Sequence, residues 1–189
     1  MNFIKTEIPD VFIIEPKVYF DERGYFFESY KASLFERNIG KINFVQDNES
    51  KSTYGIVRGL HYQIPPFTQS KLVRVIKGKI LDVAVDIRKG SPTFSKYVAI
   101  ELSETNKKQL FVPRGFAHGF AVLSDECIVA YKADNYYSPE SEKGVQFDDK
   151  TLNIDWKINK NDIIVCKRDS NFPSLDNAEI FDYSAKSYE

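Results

Sequence analysis

The sequence predicts an all-β fold, an antiparallel sandwich or barrel with a few short peripheral helices, and three observations carry that prediction. Aromatic residues make up 14% of the chain, with 15 Phe and 11 Tyr, a density that favours β-rich cores and stacking sites. The segment ILDVAVDIRKG alternates strictly, Leu81, Val83, Val85 and Ile87 against Asp82, Ala84, Asp86 and Arg88, as a half-buried strand does. Finally, short apolar runs recur along the chain between turn-rich pieces such as SPTF, SETN, PRG and SDE, the spacing of a sandwich or barrel.

In chain order, Lys31 to Asn38 reads as a short helix with Gly40 as its C-cap. Strand runs follow at Ile56 to Gln63 and in KLVRVI, and the latter meets ILDVAVDIRKG across Lys77-Gly78-Lys79. A glycine between two such runs supplies the positive φ of a tight turn, so these two strands are expected to pair as a hairpin. Further runs lie at Lys96 to Leu102, Gln109 to Val112, Phe116 to Leu123 and Cys127 to Tyr131, and a short helical segment is expected near Ala178. With no repeat, low-complexity tract or linker, residues 1–189 read as one domain whose tail after about Pro173 is peripheral.

Composition removes several functional classes. A formal net charge of -1 leaves no general basic field for a nucleic-acid backbone. Charged or polar residues interrupt every hydrophobic segment, so none approaches the roughly 20 residues of a membrane-spanning helix. Cys127 and Cys166 form neither a disulfide framework nor a CxxC spacing, and MNFIKTEIPDVF lacks the apolar core of a signal peptide. A reduced, cytoplasmic protein is expected.

The chain holds two histidines, His61 in RGLHYQ and His118 in PRGFAHGF, each beside glycine at a strand-like position. A lone strand histidine is more often a hydrogen-bonded core residue than a catalyst. Here Arg58 and Lys71 bracket His61, and a base flanked by cations suits an anionic substrate whose carbanion needs neutralising. Arg58 and His61 differ by an odd number of positions, so a regular strand would turn them to opposite faces unless Gly59 hosts a bulge. A metal site would need about three histidines and a carboxylate; Gln63 stands where an HxH pair would put its second histidine, so no metal or other cofactor is expected.

Pro113 with Gly115 to His118 resembles the second cupin motif, and RGLHYQ followed by Lys71 and Gly78 occupies the place of the first. Beyond that, DERGYFFES, QDNESKS, GIVRGLHYQ, QSKLVRV, DVAVDIRKGSPTF, PRGFAHGF and YKADNYYSPESE resemble, in order and spacing, the dTDP-4-dehydrorhamnose 3,5-epimerase family, from near the N-terminus to about Pro173. The resemblance implies a homodimeric cupin-type jelly roll that binds dTDP-4-dehydro-6-deoxy-D-glucose and inverts C3 and C5. By the same resemblance His61 is the base, Asp169 accepts its other N–H, Tyr131 reprotonates from the opposite face and Lys71 stabilises the enolate oxygen. It further implies that His118 lines the sugar pocket and that Arg23 and Arg58 meet the diphosphate. Glu28, Gln46, Asp47 and Asn48 would contact nucleotide or sugar, and Tyr137, with Glu142 nearby, would stack on thymine.

Each residue alone has a plainer reading: Arg23 as a turn residue paired with Asp21 or Glu22, Asn48 as a turn cap, Tyr131 and Tyr137 as strand aromatics, Lys71 as a solvated strand residue. The family usually reads Ser-x-Lys-Asp where this chain reads Cys166-Lys167-Arg168-Asp169, so the carboxylate stays while Arg168 takes the place of a lysine expected to contact substrate. Close functional variants, a C3-only epimerase or a 3,4-ketoisomerase, would use the same base and pocket. A cupin that binds a nucleotide sugar without turnover would need no acid–base set. A metal-dependent isomerase or oxygenase is opposed by the histidine count.

Overall fold

The computed structural model describes residues 1–183. Its strands are β1 (Asn2–Lys5), β2 (Phe12–Glu15), β3 (Tyr19–Asp21), β4 (Gly24–Phe26), β5 (Gln46–Thr53), β6 (Val57–Gln63), β7 (Lys71–Lys77), β8 (Lys79–Asp86), β9 (Arg88–Lys89), β10 (Tyr97–Ser103), β11 (Gln109–Val112), β12 (Phe116–Val122), β13 (Glu126–Ala133), β14 (Glu142–Gly144) and β15 (Phe181–Asp182). The helix α1 spans Ala32–Asn38. A six-stranded sheet in the order β1-β2-β11-β7-β13-β5 faces a five-stranded sheet in the order β10-β8-β12-β6-β14. Between β5 and β8, and again between β10 and β14, the chain changes sheet at nearly every strand, which is the jelly-roll arrangement the sequence predicts.

That alternation overturns the expected hairpin at Lys77-Gly78-Lys79. β7 pairs with β11 and β13, whereas β8 pairs with β10 and β12 in the other sheet. Gly78, at φ 78°, is a corner between sheets, and a side chain there would collide with the Glu126 carbonyl. A glycine between two alternating runs reports a sharp bend, and a bend alone does not say whether the two strands pair.

Three apolar layers hold the sheets. Val73, Val75, Ile80, Leu110, Phe116, Phe120, Val122 and Val129 fill the space between them. Phe35 of α1, with Phe12, Ile14, Leu72 and Phe111, covers the outer face of the six-stranded sheet. Leu81, Val83, Val85, Ala117 and Ala121 pack outward from the five-stranded sheet against Leu152, Trp156 and Leu175. β8 is therefore buried on both faces, not half-buried, and its polar members Asp82 and Asp86 point into the sandwich. The stretch after Pro173, expected to be peripheral, supplies Leu175 to this outer layer, and β15 runs parallel to β9.

The helix forms where its periodicity indicates, but its C-cap is Ile39, with Gly40 following; both amides bond the Phe35 carbonyl. Near Ala178 only a single 3-10 turn, Leu175–Asn177, precedes that residue.

Candidate functional site

β6 carries two of the site's side chains because it bulges at Gly59. Its register with β12 runs from His118↔His61 to Phe120↔Arg58, so three steps on β6 match two on β12. The extra residue brings Arg58 and His61 onto the same, inward face. Gly59 sits at φ 116°, and a Cβ there would lie 2.6 Å from the Gly119 Cα and 2.7 Å from the His118 carbonyl oxygen. Arg58 reaches across to β5, donating from Nε to the Ser52 hydroxyl at 3.0 Å.

His61 Nε2 lies 3.0 Å from Asp169 Oδ1, and the carboxylate is almost wholly buried. Burial by itself would raise the Asp169 pKa; the His61 hydrogen bond and the Gly59 amide, which donates to Oδ2 at 3.0 Å, overcome it and hold the group well below the usual carboxylate range. A carboxylate so ionised only accepts, so Nε2 turns its hydrogen toward it, while an Arg168 guanidinium nitrogen lies 3.4 Å from the same Nε2. The Phe172 ring meets His61 edge-on at 5.5 Å between centroids and fixes the imidazole plane.

The opposite sheet supplies Lys71 from β7 and Tyr131 from β13, with the ammonium 5.8 Å from the Tyr131 ring centroid. Burial lowers the Lys71 pKa from 10.5 to about 8, against the pull of the Asp82 and Glu142 charges. Burial, aided by Glu142, raises that of Tyr131, so the phenol keeps its proton. Asn48 lies across from Tyr131 on β5, and Gln46 binds Asn48 through Nε2 at 2.9 Å while its Oε1 accepts the Tyr137 amide at 3.1 Å. Tyr137 donates to Glu142 at 2.8 Å, Glu142 accepts Arg168 at 2.8 Å, and Arg168 Nε donates to Asp169 at 3.2 Å. The result is a continuous polar rim from β5 to His61.

Of the residues singled out in the sequence, His61, Lys71, Tyr131, Asp169, Arg58, His118, Gln46, Asn48, Tyr137, Glu142 and Arg168 thus share this mouth of the sandwich. Three do not. Asp47 neighbours Gln46 and Asn48 and so turns to the outer face, where it binds Lys132 at 2.9 Å beside a cleft of about 300 Å³. Arg23 sits on the β3–β4 hairpin with its side chain 83% exposed, paired with Asp21. Glu28 pairs with Lys31 at 3.3 Å.

Sequence reasoning missed Asp82, whose Oδ1 lies 2.8 Å from His118 Nε2; its signal was the polar face of the alternating strand. It also left Gln63 without a task. Gln63 donates to the carbonyls of Phe67 and Tyr136 and accepts the Ser138 amide at 2.7 Å, binding together the loops that frame the mouth.

Chemically, the imidazole of His61 on one sheet faces a protonated phenol on the other, and an ammonium stands beside that phenol. That set can take a proton from one side of a carbon, stabilise the resulting anion and return a proton from the other side. The family model described as dTDP-4-dehydrorhamnose 3,5-epimerase matches residues 5–177. A dTDP-4-dehydrorhamnose 3,5-epimerase of Shigella flexneri is 58% identical over 159 residues, 84% of this chain and 88% of the relative. That of Escherichia coli (strain K12) is 48% identical over 177 residues, 93% and 95% of the two chains. The crystal structure of a dTDP-6-deoxy-D-glucose-3,5-epimerase from Legionella pneumophila Philadelphia 1, in complex with dTDP-4-keto-L-rhamnose, superimposes with a TM-score of 0.93 at 46% identity, covering 97% of this chain and 99% of that one. Fold and relatives agree, and the chain belongs to the dTDP-4-dehydrorhamnose 3,5-epimerase family.

Proposed function

We propose that the protein inverts C3 and C5 of dTDP-4-dehydro-6-deoxy-D-glucose, giving dTDP-4-dehydro-L-rhamnose, with His61 as base, Tyr131 as acid and Lys71 as the cation at the enolate oxygen. The observation that carries this reading is the pairing of His61, on one sheet, with Asp169 of the 3-10 turn Asp169–Asn171, opposite Lys71 and Tyr131 on the other sheet. Both carbons flank the C4 ketone, so their C–H bonds are acidic and the electron pair drains onto one oxygen. Lys71 stabilises a charge that exists only after the proton has left, and so lowers the barrier rather than merely holding substrate. Inversion requires the base and the acid to approach one carbon from opposite sides, which two facing sheets provide. Asp169 holds His61 with Nδ1 free to take the proton and stabilises the imidazolium.

Arg58, Arg168 and the Tyr137–Glu142 pair are assigned to the diphosphate and the nucleotide base, Gln46, Asn48 and His118 to the sugar. A planar guanidinium matches phosphate oxygens. The enzyme is assigned as a homodimer, supported by the exposed aromatic hairpin in which Phe20 is 77% and Phe26 67% exposed. In such a dimer Arg23, and Glu28 just beyond it, would reach a neighbouring copy's mouth. A cytoplasmic setting is supported by free thiols at Cys127 and Cys166; no helix among the described residues is long and apolar enough to cross a membrane.

Incubation with dTDP-4-dehydro-6-deoxyglucose in heavy water, followed by NMR, tests the assignment. Deuterium at C3 and C5 is the expected result. Exchange at C3 alone would select a C3-only epimerase, and no exchange would reduce the protein to a nucleotide-sugar binder.

A further inference from the structure

Asp82 is fully buried on the inner face of β8, and none of the roles above uses it. Its Oδ1 meets His118 Nε2 at 2.8 Å, while its Oδ2 has no hydrogen-bond partner among the described residues. A buried carboxylate with an unpaired oxygen is a costly thing to place in a core, so its position calls for a compensating task. The Lys71 ammonium feels the Asp82 charge from the facing sheet, but the carboxylate's one hydrogen bond among the described residues goes to His118.

The chemistry of the pair decides where the proton lies. A carboxylate oxygen facing an imidazole nitrogen takes the part of acceptor. Nε2 therefore donates to Oδ1. Burial, against the pull of Asp82 and with the charges of Lys71 and His61 adding to it, keeps the His118 pKa below its ordinary value, so the ring stays neutral. Nδ1 is then left with a lone pair, and it makes no hydrogen bond to the described residues. Near the ring stand His61 from β6, directly across the strand pair, and Lys71 from β7, whose ammonium in turn neighbours Tyr131 and Glu142.

We propose that Asp82 is a positioning residue that fixes His118 as an acceptor toward the sugar, so that the site reads which ring carbon bears the ketone. The proposal rests on the epimerase reading. An ammonium only donates and Nδ1 of this tautomer only accepts. A ketone oxygen only accepts, so it fits against Lys71 and is rejected by His118; a hydroxyl donates and fits His118. A sugar bound one carbon out of register would set two acceptors against each other, and the adjacent ketone isomer is discriminated for the same reason.

Two measurements on the full-length protein test this. Nitrogen-15 NMR of the imidazoles reports the tautomer directly, and with only two histidines in the chain the His61→Asn variant leaves His118 as the single signal. A proton on Nε2 and a bare Nδ1 at neutral pH are expected; a proton on Nδ1 would overturn the proposal. The second readout is deuterium exchange at C5 for the substrate and for its 2-deoxy and 3-deoxy counterparts. The wild type is expected to disfavour at least one counterpart by about tenfold, the worth of one good hydrogen bond, and Asp82→Leu to erase that preference, with Asp82→Glu restoring part of it. Unchanged selectivity in the leucine variant would overturn the proposal. Should that variant fail to fold, Asp82→Asn keeps the volume, and its amide, able to donate to Nε2, is expected to move part of the proton to Nδ1; an unshifted tautomer with unchanged selectivity would overturn the proposal. No exchange by the wild type would remove the epimerase reading and leave the tautomer measurement to decide this one.

Discussion

Arg58 and His61 face the same side of β6 although three positions separate them, because the strand takes an extra residue at Gly59 between His118 and Phe120 of its partner. The bulge depends on a backbone only glycine adopts without strain, at φ 116°, where a Cβ would lie 2.6 Å from the Gly119 Cα. Gly59→Ala is therefore expected to lose at least about 1–3 kcal/mol of stability and to lose activity even where it folds, since straightening β6 turns Arg58 or His61 away. Denaturant unfolding together with exchange kinetics checks both halves.

His61→Asn keeps a polar side chain of similar size at the partner of Asp169 but cannot act as a base. Loss of exchange at both C3 and C5 by at least about 10²-fold, with an unchanged unfolding midpoint, is the expected outcome. Substantial residual exchange would remove His61 from its role.

In the proposed mechanism Lys71 acts in its charged form, and burial has brought its pKa down from 10.5 to about 8. kcat/KM should therefore fall as pH rises through about 8, a limb that Lys71→Arg shifts upward beyond the measurable range. Lys71→Met should cost about 10² to 10³ in rate. Because the unfolded chain holds this proton more tightly than the folded one, the ammonium opposes folding below about pH 8. The methionine variant is thus expected to unfold at no lower temperature than the wild type at neutral pH.

Asp169 has the opposite sign. Its pKa is depressed in the folded state, in spite of burial, by His61 and the Gly59 amide, so its contribution to stability is complete above the ordinary carboxylate value and is lost as pH falls below it toward the folded value. Wild-type stability should drop more steeply than that of Asp169→Asn below about pH 4. At neutral pH the asparagine variant should lose about 10² to 10⁴ in rate, because an amide can turn to His61 as a donor and stabilise the wrong tautomer.

Tyr131→Phe separates the two proton transfers. With base and ammonium intact, deuterium should still enter at C3 or C5, while the rate of inversion falls well below the rate of exchange. Equal losses of exchange and inversion would deny the phenol its role as acid.

Much of this was legible in one dimension. The alternation of residues 80–90 reports a strand because side chains of a pleated chain turn to opposite faces at every step, and the run boundaries at β6, β10, β11, β12 and β13 fall within two residues of their observed ends. β5, reading QDNESKST, carries no apolar pattern and escaped notice: it is the edge of its sheet and half of it faces the open mouth, so packing asks nothing hydrophobic of it. The family motifs singled out His61, Asp169, Lys71 and Tyr131 by number, and the fold brings these four to one mouth; the same motifs placed Asp47 and Arg23 beside them, where the single chain does not bring them.

By itself, then, the order of residues determined most of the strands and the chemical kinds of group available, since each of these follows from local geometry and from what a side chain can donate or accept. Only the tertiary structure decided that β7 and β8 part company at Gly78, that the polar face of β8 lines the interior, and that Asp82 belongs to His118. Those outcomes depend on which strands lie side by side, and pairing is settled by contacts between segments far apart in the chain, about which a local pattern carries no information.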